Sequence, residues 1–124
     1  MTGVGDQIEL ATLDLIFRGT PWPYGVANVL SLHVGDPGDT GANEVVGGTY
    51  ARQTGVWAAP TGPSPTTIHL SAPVDFPGMP AVVVTFWGSW TPSGIFVFGG
   101  PTVTRTMVAG DVYRLGTGTT VSVE

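Results

Sequence analysis

The 124-residue chain contains no cysteine and no lysine, and only 10% of its residues are charged. Without cysteine there is no disulfide framework, no thiolate nucleophile and no cysteine-ligated zinc site. The formal net charge is −5 and the basic residues are scattered, so no basic patch can follow a phosphate backbone and nucleic-acid binding is not expected. Long apolar runs are also missing, since residues 81–84 are among the longest, and no membrane span is expected. The four basic residues are Arg18, Arg52, Arg105 and Arg114.

The low charge content has two interpretations. An average domain carries about 25% charged residues. A subunit whose surface is covered by neighbours needs fewer, because charged residues are depleted from the centres of interfaces. Alternatively, Ser, Thr and Gly solvate the surface of a free protein. Composition favours the first interpretation, assembly with other subunits.

Glycine and proline are abundant, with 19 and 11 copies, and 42% of the residues are apolar. Many chain breakers together with a good apolar fraction indicate short strands joined by turns. The sequence therefore predicts a mainly β fold: one domain, 1–124, formed by a single antiparallel, jelly-roll-like β-sandwich with one short N-terminal helix. About eight strands are predicted from about residue 28 onward, at 30–34, 50–58, 66–71, 81–90, 94–98, 102–108, 112–115 and 119–123. Turns are predicted at FPGMP (76–80) and FGGP (98–101).

The helix is predicted at about residues 6–18. Asp6 is placed as the N-cap, with Glu9 three residues later in a capping-box arrangement. Gly19, followed by two prolines, ends the helix. Its apolar face, which we expect to cover another part of the protein, consists of Ile8, Thr12, Leu15 and Ile16, widened by Leu10, Leu13 and Phe17.

Catalytic signatures are weak. His33 and His69 lie in alternating strands at positions predicted to face away from the apolar set, on the solvent side or in an interface. There is no GxSxG nucleophile elbow, and neither a phosphate-binding GxxxxGK[ST] nor a GxGxxG motif opening a helix after a strand. We therefore predict no catalytic residues, no cofactor and no enzymatic activity.

A loop rich in glycine, acids and amides follows the first predicted strand, within HVGDPGDTGANEVVGGTYAR (33–52). Calcium requires six to eight oxygen ligands, and four side chains here are weak candidates. The spacing does not match the DxDxDG-x5-E loop, and Asp and Asn also close turns by bonding their own backbone. A structural loop is favoured and a metal site is not predicted, although calcium binding stays open. The weak calcium candidates are Asp36, Asp39, Asn43 and Glu44.

Three of the four tryptophans are candidate interface anchors: Trp22, Trp87 and Trp90. Trp87 and Trp90 are three residues apart in a strand and are predicted to point to opposite faces. Trp22 lies between two prolines, in an irregular segment. Burial in the core is the more common fate of an aromatic residue, and a carbohydrate-binding sandwich that exposes its tryptophans stays open.

Residues 32–53, LHVGDPGDTGANEVVGGTYARQ, resemble a segment of the form LHTxDPGxxGxNEVxGxxYxRQ that recurs in small structural proteins of tailed bacteriophages. Residues 13–20 (LDLIFRGT) and 109–115 (AGDVYRL) are similar to further segments of these proteins. Such proteins are described as capsid decoration, minor tail or tail-fibre proteins. The resemblance implies that the loop is structural, with Asn43 and Glu44 binding its backbone and Arg52 pairing with an acidic group. The residues of this structural loop motif are Asp36, Pro37, Gly38, Gly41, Asn43, Glu44, Gly48, Tyr50 and Arg52.

The main expectation from the resemblance is a virion protein that decorates the outer capsid surface. It would bind the major capsid protein and copies of itself, and stabilise the lattice through many modest contacts. The alternative is a tail-associated protein of the fibre, baseplate or minor tail type, with contact to host glycan. A free calcium- or sugar-binding β-sandwich is the third hypothesis.

Overall fold

The computed structural model of the chain describes residues 4–62 and 66–123. Within these residues one helix precedes eight strands, and all strand pairing is antiparallel. This confirms the predicted mainly β class with one short N-terminal helix. The helix α1 spans Asp6–Leu13 and continues as a π-helical turn, Asp14–Arg18; the strands are β1 Val29–His33, β2 Gln53–Thr54, β3 Thr66–His69, β4 Val74–Met79, β5 Val83–Trp90, β6 Phe96–Thr106, β7 Asp111–Leu115 and β8 Thr120–Val123.

The strands form one four-stranded sheet in the order β2-β1-β5-β6 and two separate pairs, β3–β8 and β4–β7. The β4–β7 pair is nested within β3–β8 along the chain, which is the jelly-roll-like feature of this topology. Strands β1 and β5 are central in the four-stranded sheet, and β6 is at its edge. The pairs bring together residues far apart in sequence, so the sandwich depends on long-range contacts.

The main core lies between the four-stranded sheet and the strand pairs. One face of β1 contributes Leu30 and Leu32, both completely buried, and β5 contributes Trp87. The opposite layer supplies Phe76 from β4 and Tyr113 from β7. Period-two alternation in these strands turns the apolar side chains to one face, as the sequence pattern requires. The remaining members of this core are Val45, Leu70, Val74, Met79, Val84, Met107 and Leu115.

The other face of the four-stranded sheet is also covered. Ser31 pairs with Gly88 in the β1–β5 register, and both lie on this face with His33. The loop that follows β1 lies on this face, with the Ala42 carbonyl 2.7 Å from His33 Nδ1. The N-terminal segment pairs with the edge of β6, since Gly5 donates its N–H to the Val97 carbonyl at 2.9 Å and Val4 forms an antiparallel bridge with Phe98. Strand β1 is therefore buried on both faces, although its sequence alternates like that of a half-exposed strand.

Two of the predicted turns are wrong. The first four residues of FPGMP fall within β4, where Pro77 and Gly78 occupy a register shift between Phe76 and Met79. Proline is tolerated at such a bulge because the ladder hydrogen bond is already interrupted there. FGGP falls within β6, so the predicted strands 94–98 and 102–108 are one edge strand. An edge strand tolerates proline and glycine. These residues have the composition of a turn, but their pairing with β5 continues.

The helix occurs where it was predicted, but its ends and contacts differ. Gly5 is the N-cap and no side chain caps the helix, so the predicted capping role of Asp6 is wrong. Gly19, with φ 71°, follows the π-helical turn as predicted. Only Ile8 of the predicted apolar face is buried, since the helix contacts β6 near its beginning. Leu10, Leu13, Leu15, Ile16 and Phe17 are exposed.

None of the helices among the described residues has the length and apolarity needed to cross a membrane.

Candidate functional site

The loop that follows β1 is closed by its own hydrogen bonds. Val34 donates its N–H to the Asn43 carbonyl at 2.9 Å, which brings the two ends of the loop together. The Asp36 carboxylate accepts the N–H of Gly38 at 2.8 Å, and the Asn43 amide donates to the Asp36 carbonyl at 2.9 Å. The Pro37 carbonyl accepts two further N–H groups, those of residues 41 and 42. The predicted turn chemistry is therefore present at Asp36, whereas the Asn43 amide binds the backbone across the loop.

Gly41 lies where the loop touches the sheet. Its φ is +78°, a left-handed conformation that side chains other than glycine adopt at a cost. A Cβ atom there would lie 2.4 Å from Cη2 of Trp90 and 2.9 Å from Cδ1 of Phe96. Backbone conformation and close contact with the Trp90 ring both require glycine at this position.

Glu44 accepts hydrogen bonds from two side chains of the motif. Arg52 binds both of its carboxylate oxygens, with Nη2 at 2.8 Å from Oε1 and Nε at 3.0 Å from Oε2. The Tyr50 hydroxyl donates to Oε2 at 2.8 Å and accepts the N–H of Leu32 at 3.0 Å. The guanidinium carbon of Arg52 lies 3.7 Å from the centre of the Trp90 ring. These contacts tie the middle and the C-terminal end of the motif to the central strands β1 and β5.

His33 is fully buried, so the prediction of a solvent-side or interface histidine is wrong. Its Nδ1 lies 2.7 Å from the Ala42 carbonyl, which only accepts, so Nδ1 carries the proton. Nε2 then accepts from the Ser31 hydroxyl at 2.7 Å, and the Ser31 oxygen accepts the Trp90 indole N–H at 2.8 Å. The result is a series of three hydrogen bonds in which Trp90 donates to Ser31, Ser31 to His33 and His33 to the Ala42 carbonyl. His33 is neutral in this arrangement. Sequence alternation placed His33 correctly on the second face of β1, but it could not show that this face is covered.

The environment shifts several pKa values. Burial raises the pKa of the Glu44 carboxyl, but the hydrogen bonds from Arg52 and Tyr50 outweigh burial and the net pKa lies below its ordinary value. The hydrogen bond to Glu44 raises the pKa of Arg52. Burial raises the pKa of the Tyr50 hydroxyl. Burial lowers the pKa of His33 and outweighs the opposite effects of the Ala42 carbonyl and of Glu44. The cluster therefore favours ionised Glu44, charged Arg52 and neutral His33.

The structure does not bring the four weak calcium candidates together. Asp36 and Asn43 bond within the loop, and Glu44 is engaged by Arg52 and Tyr50. Asp39 is exposed. In residues 4–62 and 66–123, no group of three or more His, Asp or Glu side chains could hold a metal ion.

The remaining motif residues lie at the loop's contacts. Pro37 is almost completely buried. Gly48 lies against β4, where the adjacent Thr49 donates its N–H to the Gly78 carbonyl at 3.1 Å. The motif therefore joins the four-stranded sheet to the opposite layer as well as covering one face.

The three candidate anchors differ in position. Trp87 belongs to the main core with 2% of its surface exposed, between the rings of Trp57 and Phe98 at 5.8 Å each. Trp90 points to the opposite face and is 8% exposed. Neither offers a surface anchor, because both faces of the central strands are covered. Trp22 is half-buried, and its indole N–H donates to the Gly25 carbonyl at 2.9 Å.

Sequence reasoning missed the contribution of Ser31 and the stacking of Arg52 on Trp90. Ser31 alternates with Leu30 and Leu32, and a polar residue at such a position is usually solvated. The low charge content was the signal that a second face could be covered. It did not indicate which residues cover it.

The fold and the loop define a small, mainly β domain in which hydrogen bonds hold the loop after β1 on the central strands. A family model described as podophage GP4 fiber I protein gp80 matches residues 3–122, nearly the whole chain. The chain belongs to this family and is a bacteriophage structural protein. No curated protein matches its sequence. The expected relation to phage structural proteins is thus confirmed, whereas the family gives no support to the capsid decoration hypothesis.

Proposed function

We propose that the chain is a structural subunit of a phage tail fibre and assembles through its N-terminal helix. This is the tail-associated alternative raised by the sequence. The family supports it over the decoration of the outer capsid, because the family description is that of a fibre protein. Binding to the major capsid protein remains a prediction of the decoration hypothesis alone.

The observation that carries the proposal is an uncovered apolar face of the N-terminal helix, the helix face, formed by Leu10, Leu13 and Phe17. Leu10, Leu13 and Phe17 are 67%, 56% and 77% exposed. Their spacing of three and four residues aligns them along one side of a helix. Exposed apolar clusters of this kind on a soluble protein mark interaction surfaces.

A second copy of the chain is the partner that this surface fits. At these exposures each large apolar side chain presents on the order of 100 Å², so the helix face offers roughly 300 Å². That is more than a third of the about 800 Å² that each partner contributes to a standard interface. The helix is acidic in its first turn, at Asp6 and Glu9, and the π-helical turn has Arg18 near its end. Antiparallel pairing of two copies would therefore bring opposite charges together.

The proposed role is mechanical and includes no catalytic step. The groups with perturbed pKa values, Glu44 and His33, are engaged in hydrogen bonds that hold the loop on the sheet. Such a bonded loop contributes rigidity to a subunit that transmits force along a fibre. Ile8 is the buried residue of the helix, whereas the side chains of the helix face are exposed.

Immunogold electron microscopy of purified virions tests the location. An antibody to this chain should label the tail fibres. Dense labelling over the head would overturn the proposal in favour of capsid decoration. Virions without label, when an antibody to another virion protein labels them in parallel, would overturn both hypotheses.

A further inference from the structure

A shallow groove runs along the outer side of the edge strand β6, where β6 approaches the turn between β7 and β8. Its first part has a volume of about 440 Å³ and is lined by aromatic, glycine and hydroxyl-bearing residues. A second part of about 430 Å³ follows beside Thr102 and Val103. The two parts share Pro101 and Gly118, so they form one continuous surface, the β6 groove.

The Trp87 indole N–H opens into this groove. Trp87 is 2% exposed and lines the groove, yet its Nε1 makes no hydrogen bond with any described residue. The indole N–H groups of Trp22, Trp57 and Trp90 all have partners. Within the described chain, Asn28 Oδ1 is the sole side-chain atom that is fully buried and lacks a hydrogen-bond partner. Since Trp87 Nε1 also lacks a partner but is not such an atom, it is accessible from the groove. A buried indole usually finds a partner for its N–H, so this donor is available to a ligand.

Gly100 keeps the donor accessible. It faces Trp87 in the β5–β6 register, and a Cβ atom at residue 100 would lie 3.3 Å from Trp87 Nε1 and 3.7 Å from Cε1 of Phe98. A larger side chain would therefore cover the indole N–H and fill the groove above it. Glycine at residue 100 therefore leaves the Trp87 indole N–H accessible beside the Phe98 ring.

We propose that the β6 groove binds a neutral oligosaccharide. The half-buried rings of Phe86 and Phe98 offer apolar surface to the C–H groups of a sugar, and the Trp87 N–H can donate to a ring or hydroxyl oxygen. Ser122 adds a hydroxyl group that can donate and accept hydrogen bonds. The Thr120 hydroxyl donates to the Gly118 carbonyl at 2.9 Å and can accept a hydrogen bond from a ligand. A polar rim around an apolar floor is the composition of small-molecule sites, and the two consecutive parts accommodate more than one sugar ring.

The charges in the groove favour a neutral ligand. Asp36 is the charged residue among those that line it, and the lining contains no arginine or histidine. With a net charge of −5 on the whole chain, an acidic sugar or a phosphate would be repelled. An extended peptide added to the strand edge is disfavoured because Pro101, in the middle of the groove, has no N–H to donate.

This inference goes beyond the proposed fibre role and can be tested on the isolated full-length chain. The probes are neutral oligosaccharides built from glucose, galactose, mannose, rhamnose or N-acetylglucosamine, with hyaluronan fragments as the acidic comparison. The readout is the set of four tryptophan indole N–H signals in ¹H–¹⁵N NMR spectra. We expect at least one neutral oligosaccharide to shift the Trp87 signal more than the other three, and the hyaluronan fragments to leave it unchanged.

Two variants separate specific binding from other effects. Gly100→Val should abolish the shift while the other three indole signals show an intact fold. Ser122→Ala, at an exposed rim position, should weaken binding several-fold. The proposal is overturned if no neutral probe moves the Trp87 signal, if hyaluronan moves it equally, or if both variants bind like the original chain. It is equally overturned if a Val/Thr-rich decapeptide moves the signal and the sugars do not.

Discussion

Arg52 stacks on Trp90, with its guanidinium carbon 3.7 Å from the ring centre, while its N–H groups bind both carboxylate oxygens of Glu44. A planar guanidinium can make both contacts at once, whereas an ammonium group cannot. The stack joins the end of the motif to strand β5, whose Trp90 also bonds Ser31 of β1. One side chain thus connects the loop with two central strands.

We expect Arg52→Lys to lower the free energy of unfolding by about 1–2 kcal/mol, because lysine loses the bidentate geometry and most of the stacking. Urea denaturation followed by tryptophan fluorescence measures the change. Arg114→Lys is the matched control, since Arg114 binds both carboxylate oxygens of Asp75 at an exposed site and should change little. Equal effects of the two variants would contradict a special role for the stack.

Tyr50→Phe should destabilise the protein by about 1–2 kcal/mol, because the Leu32 N–H and one Glu44 oxygen lose their shared partner while the ring remains. Thermal and urea unfolding measure this loss. Tyr24→Phe is the control, since the Tyr24 hydroxyl makes no hydrogen bond with the described residues. A neutral Tyr50→Phe variant would show that water replaces the hydroxyl.

Gly41→Ala should cost about 2 kcal/mol or more, because strain at positive φ adds to a clash with the Trp90 ring. Gly38→Ala separates the two effects, since Gly38 also has positive φ, +59°, but nothing lies within 4 Å of the added Cβ. It should show the backbone cost alone, about 1 kcal/mol. Similar values for both variants would mean that the loop moves away from Trp90 without penalty.

Stability should fall as the pH is lowered below about 6.5. Burial lowers the pKa of His33 in the folded state from 6.5, so below that value the unfolded chain binds more protons and folding loses free energy. The lowered pKa of Glu44 acts in the same direction near and below its ordinary value of 4.5. Urea denaturation between pH 7.5 and pH 5 measures the slope.

His33→Gln should flatten this pH dependence between about pH 6.5 and 5, because the buried titrating group is removed. His69→Gln, which removes the other histidine of the chain, should retain the slope since the Ser31–His33 hydrogen bond is intact. If the slope disappears in His69→Gln and persists in His33→Gln, the assignment to His33 is wrong.

Self-association should depend on the helix face. Replacing both Leu13 and Phe17 by Ser should shift the chain toward monomer in light scattering and sedimentation, because these residues contribute much of the exposed apolar area. Val46→Ser is the control, since Val46 is 85% exposed but lies outside the helix. A monomeric original chain at micromolar concentration would remove the basis for pairing through this face.

Charge reversal tests the antiparallel arrangement. Arg18→Glu alone should weaken the pair, and combination with Glu9→Arg should restore it, since the opposite charges then meet again in exchanged positions. The effect should diminish at high salt. A double variant as weak as the single one would contradict antiparallel pairing.

Local chemistry was readable from the sequence. The β class, the helix region and the turn-forming role of Asp36 followed from alternation, glycine and short polar side chains, which act over a few residues. The phage relation was readable in the same stretch, since residues 32–53 resemble a recurring segment. The turns predicted at Pro77 and Pro101 were wrong, because a bulge or a sheet edge tolerates proline inside a strand.

Tertiary structure alone decided what covers each surface. Ser31 and His33 were correctly separated from Leu30 and Leu32, yet they are buried because the loop after β1 lies on their face, with the Ala42 carbonyl on His33. The position of the helix was correctly predicted, yet its predicted apolar face is uncovered except for Ile8 and the half-buried Thr12. Alternation along a strand or helix records which side chains share a face. Whether that face meets water, another segment or another chain depends on contacts between residues far apart in sequence.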